Sequence, residues 1–439
     1  MSLHLRNLKK NVWFAVAEFV LNIVLVFGSY RLLIWYGGID TVGLWSTLFA
    51  WTSLIRIADV GMSNSTMRFI ALQDRETNSD SIADYIETGL ITNLVLFIAL
   101  AVAGYFLLSH NLAHIVDSAH FATAQAILPI MLLGFVLSNI AGVVLGSLSG
   151  LHLGYIRSQI TVAANLVQLL AVIVVVPRHG IAGLAWSQVL QFTFSCTVGW
   201  FVVRRNLGLR HWAPYIFSRR AFREMLGFSL TSQVANTANG LFDPLSKLLV
   251  SHFFGLNVLG MYELAFKTVS LSRNAIIAGV SATVPAMTAQ YNKGIEEIVP
   301  TYNSAQRLTM RAIVAVMALI VIASPLVAYV WLGYVSLEFV RNTAILSIGA
   351  IFNAAGAGAY NLGIITGRMK NNILVTFSNL VVLMALGVIA GSFFSSWAIV
   401  AVNSFCWGLA GVWIKAINEP WLPRKYERSA RWIPWWTFS

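Results

Sequence analysis

Charge is scarce in this chain, and much of it stands where apolar residues are expected. Arg56 and Asp59 interrupt the apolar run from Val42 to Ile70, and Glu18 and Arg31 interrupt the run before it. Further on, Asp243, Lys247, Glu263, Lys267 and Arg273 fall in another pair of apolar runs. A charge at membrane depth costs on the order of several kcal/mol, so it normally faces a bundle interior or a watery cavity. Asp243 with Lys247, and Glu263 with Lys267, are i,i+4 pairs in the favoured acid-first orientation. Such pairs can simply neutralise one another and hold helices together, or they can line a path. Ser232, Asn236, Asn239, Asp243 and Lys247 follow at spacings of four, three, four and four, one face of a continuous helix. Pro244 sits inside that stripe and is expected to kink it or free carbonyls.

The chemistry available to this set is recognition rather than catalysis. Arginine offers a planar donor fork that suits phosphate and pyrophosphate. Amides and hydroxyls suit sugar hydroxyls. Arg31, Arg56, Lys247, Lys267, Arg273, Asn236 and Asn239 are therefore the candidate substrate-binding residues, and an amphiphilic anion the expected ligand. Glu18, Asp59, Asp243 and Glu263 are the candidate groups for ion coupling or charge pairing, with H+ or Na+ as the ion. An exporter of cations would want an acidic cavity, and here the acids are outnumbered.

The elements that must carry these residues are membrane helices. The chain is 58% hydrophobic and 10% charged, with mean hydropathy +0.73; a soluble domain carries roughly 25% charged residues. Apolar runs of about 20 residues without alternation argue against a β-barrel. The fold class is an all-α polytopic membrane protein of about twelve helices. The expected spans are residues 11–35, 42–70, 87–108, 123–148, 156–176, 181–203, 222–253, 258–289, 306–331, 339–366, 372–391 and 395–416.

The net charge of +12 is no nucleic-acid signal, because most Lys and Arg lie in loops and tails. They fix topology instead. Arg204, Arg205, Arg210, Arg219, Arg220 and Arg223, with Trp212, Tyr215 and Phe217 between them, read as an interfacial segment on the cytoplasmic leaflet. Loops expected outside are nearly free of Lys and Arg, so both termini are expected in the cytoplasm. Cys196 and Cys406 lie in apolar spans and read as buried small hydrophobes. No Walker A loop, metal-ligand cluster or sizeable external loop is present, so neither enzyme chemistry nor a cofactor is expected. His110, His114 and His120 share one short loop without metal-site spacing.

The chain also repeats itself. Gly38, Gly43, Trp45, Phe49, Ser53, Leu54 and Arg56 are matched by Gly255, Gly260, Tyr262, Phe266, Ser270, Leu271 and Arg273 at a constant offset of 217. Leu145-Gly146 and Ser149-Gly150 pair with Leu362-Gly363 and Thr366-Gly367 at the same offset, and the match slips to 213 just after. Six helices per repeat is even, so two lobes related by an axis along the membrane normal are expected. The expected divisions are an N-lobe 1–203, a connector 204–221, a C-lobe 222–416 and a basic, aromatic tail 417–439.

The stretch Trp35 to Trp45, then Ile57-Ala58-Asp59-Val60-Gly61 and Thr66 to Ala71, resembles the bacterial polysaccharide flippases of the multidrug/oligosaccharidyl-lipid/polysaccharide exporter (MOP) superfamily. Val42 stands where that pattern has Tyr or Leu. The stretch Arg219 to Ser229 also looks like the family's entry to its seventh helix. The resemblance implies a V-shaped, MATE-like transporter in the bacterial inner membrane. Its cargo would be an undecaprenyl-pyrophosphate-linked glycan, such as an O-antigen or exopolysaccharide unit for lipopolysaccharide or polysaccharide biosynthesis. Transport would be by alternating access, coupled to an ion gradient, among membrane lipids and beside polymerase or assembly proteins. In the related lipid II flippases, arginines on the first, second and eighth helices are important; Arg31, Arg56 and Arg273 occupy those helices here. The alternatives are a drug or organic-cation antiporter, a peptidoglycan-precursor flippase, and a non-transporting scaffold.

Overall fold

A computed structural model of the chain describes residues 2–59, 61–73, 79–209 and 211–422. It divides into two compact units, 1–237 and 238–439. The described residues of both are helical, without strands.

The first unit contains α1 (Ser2–Gly37), α2 (Ile39–Leu54), α3 (Met62–Ala71), α4 (Ser79–Ile115), α5 (Ser118–Gly150), α6 (Gly154–Leu207) and most of α7 (Arg219–Gly240). Helix α1 packs on α6, α5 on both α4 and α6, and α3 on α5. Met62, Ile86, Val143, Leu148, Val203 and Met225 are fully buried in its core. The second unit contains α8 (Phe242–Ser281), α9 (Val284–Tyr291), α10 (Ile295–Leu332), α11 (Leu337–Ala355), α12 (Ala357–Ile365), α13 (Met369–Phe393) and α14 (Ser396–Asn418). There α11 packs on α14, α10 and α8.

Among the described residues nine helices are long and apolar enough to cross a membrane. The breaks account for the rest of the expected twelve. Non-helical Gly180 divides α6 into two spans, and Gly255 divides α8. The broken pair α2 and α3 makes the second span, and α7 with the first part of α8 the seventh. Asp117 and Ser336 cap α5 and α11, accepting from the His120 and Phe339 N–H groups at 3.2 Å each.

The repeat is visible in the backbone. Gly38 and Gly255 have the same φ of 77°, with ψ of 175° and −175°. Only glycine adopts that region readily, so each half turns into its second helix at the same glycine. The turn into the fifth span shifts the sequence register, however. The Leu153 N–H donates to the Leu148 carbonyl at 2.8 Å, and the Arg368 N–H to the Gly363 carbonyl at 2.7 Å. These equivalent closures lie 215 residues apart, between the two offsets read from residue identities. His152 takes the left-handed position that Gly367 takes in the second half, with φ of 58° and 74°.

Two expected helix faces are interrupted. The second span leaves α-geometry after Leu54, extends at Asp59 and restarts beyond Gly61, whose φ is 74°. Thr52, Arg56, Asp59 and Ser63, whose spacings of four, three and four would place them on one face of an unbroken helix, are separated by that break. The seventh span breaks at Leu241, between α7 and α8. Pro244 then falls in the first turn of α8, where its missing N–H leaves no intrahelical bond unmade. The stripe through Asn236, Asn239 and Asp243 is thus split between two helices. The expected connector, 204–221, lies wholly within the first unit. The expected tail starts in the last turn of α14, and residues 423–439 lie outside the described part.

Candidate functional site

In the first unit the candidate arginine sits in the helix break. Arg56 follows the end of α2 and is exposed. Its Nη2 donates to Ser138 Oγ at 3.3 Å, and Ser138 in turn donates to the Phe135 carbonyl at 2.8 Å. The Arg56 guanidinium carbon lies 5.8 Å from the centre of the Phe135 ring. A closed circuit results: arginine, hydroxyl, carbonyl, and the aromatic ring of the same residue back under the arginine. Asp59 Oδ1 accepts the Gly61 N–H at 2.8 Å, satisfying a donor that the broken helix has left over.

The second unit builds the same circuit from other residues. Arg273 donates from Nη2 to Asn353 Oδ1 and from Nη1 to Asn274 Oδ1 at 2.8 Å. Asn353 Nδ2 donates to the Trp407 carbonyl at 2.6 Å, and the Arg273 guanidinium carbon lies 5.1 Å from the Trp407 ring centre. Arg56 and Arg273 come from the second span of their halves, and Ser138 and Asn353 from the fourth. The ring differs in origin: Phe135 shares α5 with Ser138, whereas Trp407 comes from α14. Cation–π contact of this kind is worth ~0.5–2 kcal/mol and fixes the guanidinium plane.

The lysines are placed differently. Lys247 is 1% exposed and lies between two carboxylates, 3.1 Å from Asp243 Oδ2 and 2.9 Å from Glu263 Oε2. Glu263, also 1% exposed, reaches Lys267 at 3.8 Å through its other oxygen. The two expected helical pairs are therefore one four-charge cluster, joined across the α8 kink by the Lys247–Glu263 contact. Tyr262 is fully buried beside it, with Ser246 and Asn403 facing its hydroxyl. Arg31 is on α1, with its guanidinium 4.9 Å from the Trp35 ring centre. Glu18 is half-buried on the same helix. Asn236 and Asn239 are on α7, but their side chains lie outside the described part.

Residues 58–335, more than half of the chain, match the model of a family described as polysaccharide biosynthesis protein. The chain belongs to that family. It is a multi-pass membrane protein. No curated relative matches the sequence. Three similar solved structures show the same fold. An inward-facing multidrug resistance MATE family transporter is 14% identical, with a TM-score of 0.78, covering 95% of this chain and 99% of that one. An outward-facing one is 16% identical, with a TM-score of 0.67 and 96% of each chain covered. A MOP superfamily transporter from Pyrococcus furiosus is 15% identical, with a TM-score of 0.67 and 96% of each covered. That last protein is described as having a binding pocket of reverse polarity that suggests a different function.

In this polysaccharide biosynthesis protein, the residues that brace the arginines carry no motif. Ser138, Phe135, Asn353 and Trp407 look like ordinary membrane-helix residues, and only the arginine repeat points towards them. A further cluster was equally silent. Glu87, at the start of the third span, is fully buried. It accepts from the Tyr215 and Ile216 N–H groups at 3.0 and 2.9 Å and pairs with His211 Nε2 at 2.5 Å. Thr88 accepts the Ser218 N–H at 2.9 Å. The connector is thus clamped onto α4 by side chains standing in for a helix's own carbonyls.

Proposed function

We propose that the protein is a flippase that carries a polyprenyl-pyrophosphate-linked oligosaccharide from the cytoplasmic to the outer leaflet of a bacterial inner membrane. The supporting observation is the pair of braced arginines, one in each unit. Each has its fork oriented by a hydrogen bond and a ring; among the described residues neither makes a salt bridge, although Asp59 lies near enough to Arg56 to act on it electrostatically. Lys247, by contrast, makes two salt bridges. An arginine oriented but not neutralised keeps its charge for a ligand, and pyrophosphate matches that fork.

Arg56 and Arg273 are the substrate-binding residues in this reading, and Lys267, the half-buried cation of the charged cluster, is a further candidate. Lys247 serves the fold and the acids rather than the glycan. Membership of a polysaccharide biosynthesis family favours a glycan cargo over a drug, and the MATE-like fold supports alternating access. Both termini face the cytoplasm, as the distribution of Lys and Arg requires.

The test is translocation of a labelled polyprenyl-pyrophosphate glycan in proteoliposomes. Wild type moves the lipid, and folded Arg56→Ala and Arg273→Ala lose most of that activity. A wild type that ignores the lipid and exchanges organic cations for H+ or Na+ replaces this reading with an antiporter. Transport of lipid II in preference to other glycans moves it to the peptidoglycan branch.

A further inference from the structure

We propose that Lys247 is a tethered cation: its ammonium fills the position between Asp243 and Glu263 that a free monovalent ion would otherwise occupy, and makes this unit independent of Na+. The inference does not depend on which cargo is carried.

The geometry is that of an occupied ion site. Lys247 Nζ meets one oxygen from each of two carboxylates, at 3.1 and 2.9 Å, and is 1% exposed. The surrounding groups are hard oxygen donors, which suit alkali cations better than transition metals. Tyr262 neighbours both carboxylates, and Ser246 and Asn403 face its hydroxyl, so further oxygen donors lie close to the pair. Asp243 Oδ1 is buried without a hydrogen-bond partner among the described residues, so the shell holds more acceptor capacity than the lysine uses.

Charge sets the valence. Asp243 and Glu263 contribute two negative charges, and Lys267, 3.8 Å from Glu263, contributes one positive. Without Lys247 the cluster carries a single net negative charge, which one monovalent cation balances. With Lys247 it is neutral, and a second cation entering would meet the ammonium directly. Glu263 is buried, so leaving it without a partner would be expensive, and it must either pair with a cation or take up a proton. Supplying the cation from the chain removes the need for one from solution.

The experiment measures thermal stability of the purified protein with NaCl against choline chloride at equal ionic strength. Wild type should melt at the same temperature in both. Lys247→Ala should gain a Na+-dependent rise of about 3 °C that grows with the logarithm of concentration. Lys247→Ala combined with Asp243→Asn should lose that rise. Lys247→Ser, whose hydroxyl fills part of the space, replaces Lys247→Ala if the latter does not fold. Binding of radiolabelled Na+ to wild type is measured in parallel. Saturable binding by wild type that Asp243→Asn abolishes overturns the proposal, as does a folded Lys247→Ala or Lys247→Ser that responds to none of Li+, Na+ or K+.

Discussion

Arg273 and Trp407 are joined twice. The guanidinium carbon lies 5.1 Å from the indole centre, and Asn353 links the same two residues by accepting from Arg273 and donating to the Trp407 carbonyl at 2.6 Å. Asn353 therefore positions Arg273 rather than meeting cargo itself. Asn353→Leu should lower glycan translocation by about tenfold, the loss of one charge-assisted hydrogen bond. Asn353→Asp keeps an acceptor but neutralises the arginine, and should be at least as harmful. Proteoliposome rates at several lipid concentrations check both, with melting temperature as the control for folding.

The Glu87 clamp carries a larger stability effect. Glu87→Ala would leave the Tyr215 and Ile216 N–H groups without their acceptor, at a cost of about 2–5 kcal/mol. Glu87→Gln retains one acceptor oxygen and should cost less. The connector should also become accessible, so limited trypsin digestion should cleave at Arg219 faster in Glu87→Ala than in wild type. Equal cleavage would show that the clamp contributes little.

Glycine lets α11 and α14 approach backbone to backbone. A Cβ at Gly411 would meet the Phe352 carbonyl and Asn353 Cα. Gly411→Ala should destabilise by about 1–3 kcal/mol through overpacking. It should also disturb Asn353 and hence Arg273. Gly279→Ala is the control. Nothing lies within 4 Å of a Cβ there, and a helix interior favours alanine by roughly 0.5–1 kcal/mol. Melting temperatures of the two variants should move in opposite directions.

His152 and Gly367 make the reciprocal case. Both are left-handed, at φ of 58° and 74°, but only one is glycine. His152→Gly should stabilise by about 0.5–1 kcal/mol, and Gly367→Ala should destabilise by about 1–2 kcal/mol. Thermal melts check the pair.

Membrane class, helix number and the twofold repeat were legible because they follow from hydropathy and from glycines that keep one backbone conformation. Gly38 and Gly255 are the clearest example, since a φ of 77° leaves little choice of residue. The charged pairs were legible as pairs but not as one cluster. The contact between Lys247 and Glu263 spans 16 positions and a kink, and helical spacing reports only on neighbours three or four apart. The helix break at Asp59 was hidden for a similar reason: Asp59 and Gly61 satisfy the open backbone locally, and such a turn costs few residues. Glu87 was hidden because its partners are backbone N–H groups, which every residue but proline supplies.

The clamp bears on how the chain is made. Glu87 emerges in the third span, but the groups that satisfy it, His211, Tyr215 and Ile216, follow the sixth. Ser229, farther on in α7, then closes against Ser65 at 2.5 Å. A nascent chain halted at residue 203 would hold six spans and still lack the partners of its most deeply buried acid. The first self-sufficient piece to leave the ribosome is six spans and the opening half of a seventh, so a biosynthetic intermediate that stops short of it is the one most exposed to quality-control proteases.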